Sequence, residues 1–173
     1  MKFSRYMVVT ALLALGGIAV AHADDVSMAS GSVHFTTPAS WVSIMQVDGD
    51  PEVRVFQVPD PSPSASTTLA RISVTVKQVT DAQAFGDYVN GAMVKAKNMK
   101  DYQASTRPSG EQNSFLYTAS ESGTQYTYTE RYWFRNGHAI QLRCVRPSAS
   151  EAGQAWAANF DKGCSDIAAN LNA

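Results

Sequence analysis

The dipeptide Asn136-Gly137 constrains the fold of this chain most, because it lies between two runs of strand-forming residues. Both central positions of a type I′ turn need positive φ, and Asn-Gly tolerates this well. We therefore predict a β-hairpin with strands at 124–135 and 138–145, whose two-residue turn determines which side chains face each other. One side of the sheet carries the pairs Trp133/Ile140, Arg131/Leu142 and Thr129/Cys144, and the other carries Phe134/Ala139, Tyr132/Gln141, Glu130/Arg143 and Tyr128/Val145.

The second side of this hairpin carries a row of aromatic side chains. The row and its charged pair comprise Tyr126, Tyr128, Glu130, Tyr132, Phe134 and Arg143. One explanation of the row is that this sheet face is simply solvated or covered by a helix, because aromatic residues favour strands by packing. Tyr and Arg also dominate interface hot spots, so these six residues are the candidate partner-binding surface. A helix covering this face removes most of the basis for the binding interpretation.

Residues 1–23 have the three parts of a secretory signal peptide. Lys2 and Arg5 precede an apolar run, and Ala21-His22-Ala23 forms a small-x-small cleavage site. The run is about 16 residues, shorter than the roughly 20 that span a bilayer. We expect cleavage and release without a stable membrane anchor, giving a periplasmic or secreted protein. The mature chain then divides into a flexible N-terminus at 24–32 and a single domain at 33–173.

An exported chain with two cysteines most simply forms a disulfide, and Cys144 and Cys164 lack the C-x-x-C spacing of a redox couple or metal site. Cys164 lies in the apolar stripe of a C-terminal helix, together with Trp156, Phe160, Ile167 and Leu171. The hairpin places Cys144 on the first side of the sheet. We therefore predict a disulfide joining that helix to that side, closing a loop of about 20 residues worth roughly 3 kcal/mol.

Apolar patterns and turn residues place the remaining elements. Alternation and Pro or Gly boundaries predict strands at 33–35, 41–47, 53–58, 69–79 and 115–119. Thr80-Asp81-Ala82-Gln83 has capping-box spacing, and the stripe that follows it predicts a helix at 81–98. Ser148 and Glu151 repeat the capping-box spacing before the C-terminal helix.

Composition and motifs argue against several classes of function. The chain has 14 Lys and Arg against 15 Asp and Glu residues, with no basic run, so we expect no nucleic-acid partner. The mature chain has His34 and His138 but no carboxylate or cysteine at metal-ligand spacing from either. It also has no G-x-S-x-G, H-E-x-x-H or phosphate-binding glycine loop. We therefore expect no metal, no cofactor and no catalytic residues.

The order of elements, with Val33-x-Phe35-x-x-Pro38-x-x-Trp41 near the start, resembles the PsbP/Mog-like superfamily, which includes DcrB-like periplasmic proteins. The resemblance covers nearly all of the mature chain. It implies an α+β fold in which an antiparallel β-sheet is flanked by helices, an α/β/α sandwich. Similar proteins are assembly factors, small-GTPase binders, secretion-effector chaperones and envelope proteins. The family has no universal active-site motif, so the resemblance assigns no functional residue.

We therefore expect a non-catalytic protein-binding or chaperone-like module of the periplasm. Its partner is another protein of the envelope or a delivered toxin, and an inhibitor or immunity protein against a periplasmic toxin is a specific form of this hypothesis. One alternative is a small envelope hydrolase, which needs a cleft where a buried carboxylate or His34 reaches a second titratable group. Another is a small-ligand binder, which needs an apolar cavity of roughly 300 Å³ between sheet and helix.

Overall fold

The computed structural model describes residues 23–106 and 111–172. The predicted signal peptide, apart from Ala23, lies outside the described residues. The strands are β1 (Asp24–Met28), β2 (Val33–Thr37), β3 (Val42–Val47), β4 (Glu52–Gln57), β5 (Arg71–Gln78), β6 (Gln103–Ala104), β7 (Ser114–Glu121), β8 (Thr124–Arg135) and β9 (His138–Pro147). The α-helices of this part of the chain are α1 (Ala82–Lys97) and α2 (Gly153–Asn172).

Most strands of the described residues form one antiparallel sheet in the order β3-β4-β5-β9-β8-β7-β6, and β1 and β2 form a separate hairpin. Side chains alternate across the sheet, so each of its faces has its own core. One face packs against α2 and the β1–β2 hairpin, and the other packs against α1. This confirms the predicted α+β fold with an antiparallel sheet flanked by helices.

The β8–β9 hairpin has the predicted register. Trp133 pairs with Ile140, Glu130 with Arg143 and Thr129 with Cys144. The turn residues Asn136 and Gly137 have φ values of 50° and 73°, the left-handed conformation that a type I′ turn requires. A local dipeptide thus determined the pairing of the two longest strands.

The core beneath α2 is apolar and contains the predicted disulfide. The helix contributes Phe160, Ile167 and Leu171, which pack against the sheet residues Ile72 and Leu142. Cys144 and Cys164 are bonded, with their Cα atoms 6.2 Å apart. The prediction that a disulfide joins the C-terminal helix to this side of the hairpin is therefore confirmed.

Gly163 lets a tryptophan pack closely against α2. A Cβ atom at this position would lie 2.7 Å from Cζ2 of Trp41 and 3.0 Å from its Cη2. Carbon atoms normally approach no closer than about 3.5 Å. The indole of Trp41 therefore occupies the space that any other residue at position 163 would need.

The helix α1 begins at Ala82, one residue later than predicted. Its N-cap is Asp81, whose carboxylate accepts a hydrogen bond from the backbone N–H of Ala84 at 2.8 Å. Gln83 does not reach back to Thr80 but donates to Asp87. The capping box predicted at Thr80 is thus wrong, because the neighbouring Asp81 carboxylate takes the cap and the hydroxyl of Thr80 donates to it.

The helix α2 also begins later than predicted, at Gly153. Strand β9 extends to Pro147, and the N–H of Ser148 still donates to the carbonyl of Gln125. Because Ser148 continues the sheet, it does not cap the helix. The hydroxyl of Ser150 instead accepts from the N–H of Ala152.

A strand lies where the sequence predicts a flexible N-terminus at 24–32. Strand β1 pairs with β2 along its whole length, from Asp24 opposite Thr37 to Met28 opposite Val33. The side chain of Met28 is fully buried in the core beneath α2. The prediction failed because a polar strand with two apolar side chains gives little periodicity, and its partner and the covering helix lie elsewhere in the chain.

Within residues 23–106 and 111–172, no helix has the length and apolar character needed to cross a membrane.

Candidate functional site

The predicted partner-binding row on β8 lies mostly beneath α1. The exposed fraction is 5% for Tyr126, 0% for Tyr128, 2% for Glu130 and 2% for Tyr132. Phe134, near the end of the strand, is 41% exposed. Four of the six residues therefore lie inside the molecule, and the structure has the helix-covered face of the first interpretation. Phe134 and Arg143 keep substantial solvent access.

The apolar stripe of α1 covers this row. Phe85 and Val89 pack against Tyr132, while Met93 and Ala96 pack against Tyr128 and its neighbours. The stripe has the spacing of successive helical turns, so one side of the helix can contact the sheet along its length. The same pattern that predicts the helix thus also explains why the tyrosines are inaccessible.

The buried tyrosines stack on one another and direct their hydroxyl groups to carboxylates. The rings of Tyr117 and Tyr128 stack with their centroids 4.7 Å apart. Tyr128 donates to Glu121 at 2.5 Å, and Tyr117 donates to Glu130 at 2.5 Å. Burial, together with these carboxylates, raises the pKa of Tyr117 and of Tyr128. This face is therefore an aromatic core whose polar groups are paired.

Glu130 is the centre of the polar contacts on this face. Its Oε1 accepts from Tyr117 and lies 3.0 Å from Nε of Arg143. Its Oε2 accepts from Tyr132 and from Nε2 of Gln141, the latter at 3.0 Å. Both carboxylate oxygens are thus held by donors from three strands. A buried carboxylate is tolerated when it is paired and hydrogen-bonded in this way.

Arg143 connects the aromatic core to solvent. Its guanidinium lies 5.2 Å from the centre of the Tyr128 ring, in a cation–π contact. Its side chain is 34% exposed, whereas that of Glu130 is 3% exposed. Burial lowers the pKa of Arg143, but the Glu130 carboxylate together with the hydroxyl groups of Tyr117 and Tyr128 raises the pKa above its ordinary value. The charged guanidinium is therefore paired with Glu130 on one side and packs on the Tyr128 ring.

A cleft of about 440 Å³ opens above this pair, between α1 and the sheet. The helix contributes Tyr88, Gly91 and Lys95 to its walls, and the sheet contributes Gln141 and Arg143 in addition to Glu130. Charged and amide groups line much of it, so it is not the apolar cavity that the small-ligand hypothesis requires. It has the size of a small-molecule site and contains a cation.

The cleft does contain the buried carboxylate that the hydrolase hypothesis requires, within hydrogen-bond reach of titratable phenols. A general base must nevertheless accept a proton, and both oxygens of Glu130 already accept hydrogen bonds. His34 lies elsewhere, exposed, with its ring hydrogen-bonded to the carbonyl of Gly31. Among the described residues, no group of three or more His, Cys, Asp and Glu side chains could hold a metal ion.

The same face of the sheet is exposed beyond the reach of α1. Residues that pair directly across antiparallel strands share a face, and Met45 pairs with Val55 while Val47 pairs with Val53. The exposed fraction is 53% for Met45 and 44% for Val47. The surface, here called the β3–β4 patch, comprises Val42, Met45, Val47, Val53 and Val55.

The β3–β4 patch ends at a free strand edge. Strand β3 is the last strand of its sheet within the described residues, and its sequence Val42–Val47 contains no charged residue. Val42 is 55% exposed, and Ile44, the extra residue of a bulge, is 43% exposed. Sequence reasoning missed this surface because its signal is only a short, uncharged apolar run. The edge position of β3 depends on the order of all the other strands.

Solved structures of Mog1 proteins share this fold. The Ran-binding protein Mog1p of Saccharomyces cerevisiae matches with a TM-score of 0.53 at 10% identity, over 87% of this chain and 95% of that chain. A mutant of protein Mog1 matches with a TM-score of 0.50 at 12% identity, over 86% and 94%. The chain therefore shares its fold with Mog1 proteins, and the fold that the resemblance implied is confirmed. No family model matches the chain, and no curated protein sequence does.

Proposed function

We propose that this protein is an exported, non-catalytic protein-binding module, and that its docking surface is the β3–β4 patch. The observation that carries the proposal is a row of exposed apolar side chains at an uncharged strand edge. Monomeric proteins usually protect such edges with charges or a covering element, since an open edge pairs with other chains. An apolar edge without this protection is typical of a surface that a partner covers.

The occupant of the patch is an extended, uncharged apolar segment of a different protein. Strand β3 offers backbone N–H and C=O groups along its outer edge, which give a partner strand its hydrogen bonds. Alternate side chains of that strand would contact Met45 and Val47 on the sheet face. Because β3 carries no charge, a charged partner strand finds no salt bridge there. A second copy of this chain is the rival occupant.

Two further observations support the class of function. The structurally similar Mog1p is a Ran-binding protein, so this fold presents a protein-binding surface in at least one other chain. The Cys144–Cys164 disulfide is compatible with an oxidising compartment. Within this class we keep the finer hypotheses of a DcrB-like, chaperone-like periplasmic protein and of an inhibitor or immunity protein against a periplasmic toxin.

A site-specific photocrosslinker tests the docking surface. It replaces Met45 in the patch or, as the matched control, Val94, which is 57% exposed on α1. We expect the variant at position 45 to crosslink one defined protein in the native envelope, and the variant at 94 not to. The identified partner is then purified, and its binding to wild type, Met45→Lys and Val94→Lys is compared. Burying an unpaired lysine should weaken binding at least tenfold for Met45→Lys alone.

Three outcomes contradict the proposal. Equal crosslinking from positions 45 and 94 excludes the patch as the specific surface. Crosslinking to a second copy of this chain, together with a dimer in light scattering, shows that the patch mediates self-association and does not bind a different protein. An unchanged affinity in Met45→Lys shows that the crosslinked protein docks elsewhere.

The non-catalytic part of the proposal has a separate test. Purified protein is incubated with peptidoglycan fragments and peptide substrates, and the products are analysed by mass spectrometry. We expect no turnover. Turnover that Glu130→Gln abolishes, in a variant with an unchanged circular dichroism spectrum, establishes the hydrolase alternative instead.

A further inference from the structure

Arg143 presents unused hydrogen-bond donors to the cleft beneath α1. Its Nε is held 3.0 Å from Oε1 of Glu130, as an ion pair without a well-directed hydrogen bond. Its Nη2 makes only long contacts, 3.4 Å to the hydroxyl of Tyr117 and 3.9 Å to Sδ of Met99. Among the described residues, no hydrogen bond reaches Nη1. The outer fork of the guanidinium, formed by Nη1 and Nη2, therefore makes no short hydrogen bond to the described residues and can bind a ligand. The two nitrogen atoms of this fork match the two oxygen atoms of a carboxylate.

The surroundings of Arg143 hold its guanidinium in position before any ligand arrives. Glu130 fixes Nε and is itself held by two phenols and an amide. The ring of Tyr128 lies against the guanidinium. Because these contacts restrict the side chain in the free protein, a ligand pays little entropy to order it.

The charges of the cleft favour a ligand with one negative charge. The cations are Arg143 and Lys95, and the anions are Glu130 and Asp87. Glu130 lies at the opposite end of the guanidinium from the free fork and already neutralises part of its charge. Because the two cations and the two anions balance, the cleft has no net positive charge to offset the greater desolvation cost of a dianion such as phosphate, whereas one carboxylate can pair with Arg143.

The cleft also has room for an apolar tail. Its volume is about 440 Å³, and Ala92 and Met99 line it along with the polar groups. Gly91 faces open space, with no heavy atom within 4 Å of a Cβ atom built at that position. A pocket of this size that contains one convergent charged group is typical of a small-ligand site.

We propose that this cleft binds a monocarboxylate with a short apolar or aromatic tail, and that Arg143 receives the carboxylate with Lys95 beside it. The carboxylate belongs either to a free small acid or to the C-terminus of a peptide. This site is separate from the β3–β4 patch, so the inference does not depend on the proposed protein-binding function.

Titration of the full mature protein by NMR tests this assignment. The probes are 3-phenylpropionate, its neutral analogue 3-phenylpropanol, and phenyl phosphate. We expect 3-phenylpropionate to shift the amide signals of α1 and β9. Its affinity should be at least tenfold higher than that of the alcohol, because the alcohol cannot form the charge-assisted pair. Equal binding of the alcohol, or tighter binding of phenyl phosphate, overturns the proposal.

Variants distinguish a ligand site from a structural charge pair. Gly91→Leu fills the cleft from α1 and leaves Glu130 and Arg143 intact, so it should fold normally and lose at least tenfold in affinity. Val94→Leu, on the exposed side of the same helix, is the matched control and should bind as wild type does. Arg143→Gln should also lose binding, but Gly91→Leu decides the test because it does not disturb the buried pair. Unchanged binding in Gly91→Leu overturns the site.

Two peptides identify the source of the carboxylate. N-acetyl-Ala-Phe with a free C-terminus is compared with its C-terminal amide. Binding of the free acid but not of the amide supports recognition of a peptide terminus, and binding of 3-phenylpropionate alone supports a free small acid. Equal binding of the peptide and its amide shows that the carboxylate is not recognised and contradicts the proposal.

Discussion

The two faces of the sheet are built from different interactions. The face beneath α2 is mainly apolar, and a disulfide joins the helix to it. The face beneath α1 is aromatic and charged, with carboxylates that accept hydrogen bonds from tyrosines and a cleft that reaches Arg143. The α2 face is therefore mainly a hydrophobic core with a covalent link, whereas the α1 face also holds a cleft lined by charged side chains. Four predictions test this division, in order of decreasing effect.

Alkaline pH should unfold the protein through the α1 face. Burial and Glu130 raise the pKa of Tyr88 to about 12, and the pKa values of Tyr117, Tyr128 and Tyr132 are also raised. In the unfolded chain a tyrosine ionises near its ordinary pKa of 10.0. The stability contributed by the neutral phenols is thus complete below pH 10 and is lost as the pH rises toward 12.

The measurement follows tyrosinate absorbance at 295 nm together with circular dichroism. We expect the two signals to change in one cooperative transition above pH 10. Gradual ionisation of these tyrosines around pH 10, with the dichroism spectrum intact, contradicts the buried aromatic core.

Removing Glu130 should cost more stability than any other single polar change on the α1 face. Glu130→Ala leaves Arg143 without its partner and removes the acceptor of two phenols, at a cost of roughly 4 kcal/mol. Urea unfolding measures the loss. Asp87→Ala, at an exposed position of α1, is the control and should change the free energy of unfolding by less than about 0.5 kcal/mol. Similar small effects for both variants are incompatible with Glu130 as the centre of these contacts.

Loss of the disulfide should weaken the α2 face. The bridge spans a sequence separation of 20 residues, and opening a loop of that length costs about 3 kcal/mol on the chain-entropy estimate. For a domain of this size the melting temperature should fall by roughly 10 °C. Calorimetry compares the oxidised protein with Cys144→Ala/Cys164→Ala. Equal melting temperatures show that the bridge contributes little.

Replacing glycine by alanine should have opposite effects in the two helices. Gly163→Ala places a methyl group against the Trp41 ring and should destabilise by about 1–2 kcal/mol. Gly86→Ala meets no atom within 4 Å, so the higher helix propensity of alanine should stabilise α1 by up to about 1 kcal/mol. Thermal unfolding of both variants gives the signs, and a Gly163→Ala variant as stable as the wild type or more so contradicts the close packing of Trp41.

The parts of the fold that followed from the sequence depend on local chemistry or on covalent bonding. Asn136-Gly137 needs only its own backbone conformation to determine the hairpin register, and that register places Cys144 on the side that faces α2. The Cys144–Cys164 bridge follows from the number of cysteines together with the helical stripe around Cys164. In both cases a few neighbouring residues contain the whole signal.

The parts that sequence reasoning missed depend on contacts between distant segments. Met28 is buried only because β2 and α2 meet it. The exposure of Met45 results from the position of β3 in the strand order, which no segment encodes alone. For the candidate site, the pairing of Glu130 with Arg143 could be predicted, but Tyr117, which donates to Glu130, comes from another strand. Aromatic strand residues have the same pattern whether a helix or a partner protein covers them.

The helix α2 follows all strands of the sheet in the chain, so it is synthesised after them. All strands of the sheet precede α2, and a polypeptide is synthesised from its N-terminus. The strands that form the α2 face, with Ile72 and Leu142, are therefore synthesised before the helix that packs on them. A nascent chain of this protein consequently passes through a stage in which part of this apolar face lacks its cover, and the synthesis of α2 ends that stage.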